Sequence, residues 1–350
     1  MSRKKKILCI AIVIALVVDI LISIYTPIVF GIILNIIAIS LVITPFIANA
    51  IIKRTKWYKE LYVDYGHEIY PDNIWYRKYD DRNYDIVALG SSAAKYAYNF
   101  TDTGVKGMNW AQQPQSIIDD YKLFRTFHSI LHKGSYVLIN IMPFSSCDKK
   151  TGVMDTFKYF GTFREIKDFD QRFYKKAIQL RDYPILLGKP AIKALLQYLT
   201  KREKTRYIQP DIQPMTDEML KKDAMKFING WKMQFGITDL DAPLTDSNKI
   251  GREIRQKTMR EMIDFILERG YTPVYVIPPT TKYLSSYYSH AFKETYIYSF
   301  LKDIERNVIM LDYSNDEDLN KEELYFNSFF MNKNGASIFT KRVLKDLNLI

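Results

Sequence analysis

A serine becomes a nucleophile where its hydroxyl is accessible and a base stands beside it. Asp85-Ile86-Val87-Ala88-Leu89 has a strand pattern that stops at Gly90-Ser91-Ser92, which predicts strand, turn and helix in succession and sets Ser92 on the turn beside a helix N-terminus. Backbone N–H groups in such a turn can hold an oxyanion. The same Gly-Ser-Ser also serves simply to cap a helix. The four histidines, His67, His128, His132 and His290, are too scattered for a metal site, and no zinc-type spacing occurs, so neither metal nor cofactor is expected. His128 and His132 lie four apart on a predicted helix and read as a solvated face. Cys9 falls in an apolar N-terminal run and Cys147 outside it, which argues against an intramolecular disulfide.

The elements that would position Ser92 alternate along the chain. After the first strand come a short element over Val105–Trp110, a helix over Ser116–His132 with a stripe of Ile117, Tyr121, Phe124 and Ile130, and a buried strand over Tyr136–Ile141. Lys149 to about Thr245 is rich in lysine and aromatics without strong strand signals, and reads as a helical insertion. Alternation resumes with a helix over Asn248–Arg269 closed by Gly270, a strand over Pro273–Ile277, a helix over Ala291–Arg306, a strand over Val308–Leu311 and a last helix from Gly335. This pattern predicts a three-layer α/β domain, a parallel sheet with helices on both faces, whose ligands sit beyond the carboxyl ends of the strands.

Between Ile7 and Ile52 the one charged side chain is Asp19, and the run is fenced by Arg3–Lys6 in front and Lys53, Arg54 and Lys56 behind. That is about twice the ~20 residues a single span needs, which predicts a hairpin of two membrane helices turning at Tyr25, Thr26 and Pro27. The alternative is one span with the other segment in the interface. Asp19 would sit near the turn or face the other helix, or act as an intramembrane carboxylate. The expected organisation is an anchor over residues 1–56, a connector over 57–83 and an α/β domain over 84–350 with its insertion at 149–245. The formal charge of +11 arises partly from the anchor-flanking clusters. The bilayer is therefore the expected partner and nucleic acid is not.

Tyr84–Ser92 resembles the first block of the SGNH/GDSL-type hydrolases. Within that superfamily the chain is similar to the membrane-anchored branch of DltD and polysaccharide O-acetylation proteins. The resemblance runs from Asp85 to Ile350 outside the insertion. It implies a flavodoxin-like sheet and Ser92 as nucleophile. Gly107-Met108-Asn109-Trp110 is similar to the second block, implying an oxyanion role for Asn109, and Asn140 falls where the family has a polar residue lining the site. Each asparagine has a plain alternative, since Asn109 could hold a turn and Asn140 could end a strand. The family closes with Asp-x-x-His, the pair that deprotonates serine. Here Asn327 stands at the aspartate and Phe330 at the histidine, and phenylalanine accepts no proton. His290 is the one histidine in the C-terminal half and so the candidate substitute base. Tyr283–Tyr288 could line a glycan site or simply pack.

The resemblance implies acyl modification of envelope polysaccharide with impaired or non-standard catalysis, beside a membrane acyltransferase and an envelope glycan. The alternatives are an active serine esterase or transferase with an atypical base, and a non-catalytic glycan- or partner-binding module. The flanking charges place the soluble domain in the cytoplasm, and the resemblance places it outside the membrane.

Overall fold

Five strands form one parallel sheet: β1 (Tyr84–Leu89), β2 (Gly107–Asn109), β3 (Leu131–Asn140), β4 (Thr272–Ile277) and β5 (Ile309–Asp312). The computed structural model describes residues 28–62, 83–112, 115–147, 182–203 and 215–350, with isolated helical positions between 14 and 24 and at 179 and 180. Strand order is β2-β1-β3-β4-β5 and every pairing is parallel. From β1 the chain steps to one side for β2 and to the other for β3. The carboxyl end of β1 therefore lies at the topological switch point, where open α/β sheets bind ligands.

Both faces of the sheet are covered. Ile86, Ala88, Leu138, Val274 and Val276 pack with Ala94 and Ala97 of α3 (Ser92–Ala97) and with Phe339, Val343 and Leu344 of α11 (Lys333–Asp346). The alternate residues Val87, Leu89, Val137 and Ile139 are equally buried. Here α4 (Ile117–Phe127) packs on α7 (Asp246–Glu268), and α7 on β4. The α/β class and the covered parallel sheet agree with the sequence reading.

Three details differ from it. The helix predicted to reach His132 stops at Phe127, because Gly134 takes φ +88 and β3 begins at Leu131 opposite Tyr84, with a register shift before Ile86. His132 is thus on a strand and bonds Asp85 at 3.0 Å. The helix predicted over Ala291–Arg306 runs as α9 (His290–Lys293), a π-helical stretch Glu294–Tyr298 and α10 (Ser299–Lys302).

The chain divides into two compact units, Met1–Val63 with Arg172–Arg206, and Asp64–Gln171 with Tyr207–Ile350. The insertion is therefore split between them. In the first unit α1 (Ile28–Ile52) is, among the described residues, the one helix long and apolar enough to cross a membrane. Apart from the isolated helical positions between 14 and 24, the preceding span lies outside the described residues, as do its turn at Tyr25–Pro27 and Asp19. The unit also holds α2 (Lys56–Tyr62), a 3-10 turn (Pro184–Leu187) and α5 (Lys189–Leu199). The second unit contains α6 (Asp217–Phe235) and the short α8 (Lys282–Ser285), which pack together.

Candidate active site

Gly90 takes φ +140, and a Cβ there would stand 2.9 Å from both Ala94 Cβ and Asn140 Cβ, so the turn after β1 admits glycine alone. Its N–H donates to Asp120 Oδ1 at 2.9 Å, and its carbonyl accepts from the N–H of Gln112 at 3.1 Å. Asp120 is buried in the first turn of α4, where a carboxylate meets the positive end of the helix dipole, and it also accepts from Gln115 Nε2 at 2.5 Å. Ser91 Oγ accepts from the N–H of Gln115 at 3.2 Å instead of capping α3. Gln112, Gln115 and Asp120, on α4 and its approach, thus all hold the turn. Sequence reasoning missed Asp120, whose partner stands 30 residues away along the chain.

Ser92 opens α3 half-exposed, and among the described residues its hydroxyl has no hydrogen-bond partner. One helical turn on is Lys95, buried at 3% exposure. Burial lowers its pKa from 10.5 to about 8, because the charged form loses hydration. Ser92-Ala93-Ala94-Lys95 carries the Ser-x-x-Lys spacing, one helical turn apart, and the two side chains are not hydrogen-bonded to each other. That spacing could have drawn attention to Lys95 in the sequence.

The two asparagines are placed at strand ends beside this turn. Asn109, at the end of β2, donates through Nδ2 to the carbonyls of Ala94 at 3.0 Å and Lys95 at 3.2 Å, while its Oδ1 accepts from the N–H of Ala111. Both its amide hydrogens are spent on fixing α3. Asn140, at the end of β3, donates to the Leu89 carbonyl at 2.7 Å and accepts from Tyr98 Oη at 2.7 Å. Burial raises the Tyr98 pKa well above its ordinary value, so the phenol stays protonated and donates. Among the described residues the second Nδ2 hydrogen of Asn140 has no partner, which leaves one amide donor at the switch point.

The segment that should hold the acid and base is built for packing. Asn327 Oδ1 accepts from the N–H groups of Phe329 at 2.9 Å and Phe330 at 2.7 Å, closing a turn on itself. Phe330 is buried, with its ring 4.9 Å from Tyr96 of α3, 4.7 Å from Phe329 and 5.6 Å from Phe227 of α6. Ser328 binds Asp223 of α6 through both its N–H and its hydroxyl. Asn109, Asn140 and the Asn327–Phe330 turn thus all contact α3 or its C-terminal Tyr98, and Ser92 is the first residue of that helix.

His290 makes no hydrogen bond to any of them among the described residues. It is the exposed first residue of α9, and among the described residues it makes no hydrogen bond. Within the expected glycan lining, Tyr288 is buried against Phe292 and Leu284 is buried too, while Tyr287 faces solvent. Among the described residues no group of three or more His, Cys, Asp or Glu side chains could hold a metal.

No protein-family model matches this sequence, and no curated protein sequence matches it.

Proposed function

We propose that this is a membrane-anchored, SGNH-like protein that acts in acyl modification of cell-envelope polysaccharide, with Ser92 carrying the acyl group and no Asp-His pair behind it. The observation that carries the reading is the glycine-locked turn at the switch point, which packs against Asn140 with one uncommitted amide N–H and leads directly into Ser92 with an unbonded hydroxyl. Lys95 replaces His290 as the base in this scheme.

In its neutral form the Lys95 amine takes the Ser92 proton as Oγ attacks the acyl carbonyl. The ammonium then returns that proton to the departing alkoxide, leaving an acyl-serine that a glycan hydroxyl or water can resolve. With a pKa of about 8, roughly a tenth of the amine is neutral at pH 7. Asn140 Nδ2 and the backbone N–H groups of the turn are the donors for the oxyanion.

A second reading, a non-catalytic glycan- or partner-binding module, is favoured by one observation. The acid and base positions are filled by a self-bonded Asn327 and a buried Phe330. An active-site-directed fluorophosphonate separates the two, since it labels an activated serine and spares an inert one. The side of the membrane follows from protease protection of the domain in sealed vesicles.

A further inference from the structure

The insertion helix α5 has two different faces. Ala191 and Ala194 are buried, and the helix packs against α1 and α2. Ile192, Leu196 and Leu199 are about half exposed, at 48%, 56% and 59%. At about 100° per residue these three fall within a ~60° arc. Lys189 and Lys193 flank that arc on one side and the packed alanines on the other. Leu186, on the 3-10 turn before α5, is exposed as well.

The attachment to α1 fixes the level of this stripe. Asn49 Oδ1 of α1 accepts the N–H of Ile185 at 3.0 Å, and Glu203 Oε1 accepts the N–H of Lys56 at 2.8 Å, so the segment is pinned at both ends. Within α1 the buried residues are Gly31 and, at the other end, Ala48, Asn49 and Ile52. A 25-residue helix is ~37 Å long against ~30 Å of hydrocarbon, so its last turn reaches headgroup level. Lys53, Arg54 and Lys56 follow directly. The exposed apolar arc of α5 is thus carried by a helix packed on α1 and bonded to its last turns, and it is flanked on one side by lysines, as in helices that lie in the bilayer interface.

We infer that α5 is an interfacial membrane helix, with Ile192, Leu196 and Leu199 immersed at the headgroup–acyl boundary and Lys189 and Lys193 reaching the phosphates. The occupant of this face is lipid. It binds the insertion to the membrane at a second place besides the span.

The test is nitroxide depth measurement on the full chain with Cys9→Ala and Cys147→Ala, reconstituted in nanodiscs of phosphatidylcholine and phosphatidylglycerol. Single cysteines are placed at Leu196, Lys193 and, as a reference inside α1, Ile36. The expected result is a several-fold higher ratio of oxygen to nickel-chelate accessibility at Leu196 than at Lys193, with a depth shallower than Ile36. Equal nickel access at 196 and 193 puts the stripe in water and overturns the inference. Exclusion of both reagents at 196 shows a protein cover and overturns it equally. If the Ile36 label is itself in water, α1 does not span, and the anchoring reading fails along with the inference that rests on it.

Discussion

Replacing Asn140 by alanine removes the bridge between the last carbonyl of β1 and the Tyr98 phenol. Leu89 and Tyr98 are at most 1% exposed, so water cannot take over either bond. Each orphaned neutral group costs about 1–3 kcal/mol, which gives ~4 kcal/mol for Asn140→Ala. Tyr98→Phe orphans the Asn140 acceptor alone and should cost about 1–2 kcal/mol. In the double variant neither the phenol nor the Asn140 acceptor is stranded and only the Leu89 carbonyl is orphaned, at ~2 kcal/mol, so the double variant should cost less than the two single changes summed by ~3–4 kcal/mol. Asn140→Asp supplies a third check. It can donate to Leu89 only while protonated, so its folded pKa lies above the unfolded value near 4, and its stability is greatest below that pH and falls as pH rises above it. Urea unfolding of the detergent-solubilised chain, followed by tryptophan fluorescence, measures all four. An Asn140→Ala cost under ~1 kcal/mol, or strict additivity with Tyr98→Phe, refutes the bridge.

Three further outcomes follow from the same geometry. Gly90→Ala puts a Cβ 2.9 Å from two others at φ +140, so it should lower stability by more than ~2 kcal/mol or prevent folding, as expression and thermal melting will show. Phe330→Ala empties the aromatic packing between α3 and α6 and should destabilise by about 3–5 kcal/mol in the same urea assay. In NMR titration His132, whose pKa the Asp85 hydrogen bond raises, should have a midpoint above 6.5, and His128, lowered by burial and then by Arg269, a midpoint below it. His132 therefore adds its small, solvent-screened stabilisation below pH 6.5 and loses it as pH rises through its folded midpoint. His128 does the opposite, weakening the fold as pH falls through 6.5.

Much of the scaffold was legible because strand and helix periodicities are local. The runs at Asp85–Leu89, Tyr136–Ile141 and Pro273–Ile277 each announced a strand, and Asn248–Arg269 a helix, and an element of that type forms at each. Ser92 was legible for the same reason, since strand, glycine turn and helix are contiguous. Asp120 was not, because its significance is a bond to Gly90 made only when α4 packs beside β1. For His290, proximity along the chain to the end of β4 suggested reach, and the structure places it exposed at the first position of α9 without a hydrogen bond among the described residues. The insertion was read as one helical piece, and nothing local in Pro184–Leu199 reveals that Asn49, far away in sequence, supplies its partner.

The central claim is that Ser92 is an activated nucleophile without histidine. Fluorophosphonate labelling of the purified full chain, with Ser92→Ala and Lys95→Met alongside, tests it most directly. The account predicts labelling of the native protein that disappears in Ser92→Ala and falls about a hundredfold or more in Lys95→Met, the low end for loss of a general base. A folded native chain that takes no label would contradict it and leave the binding-module reading.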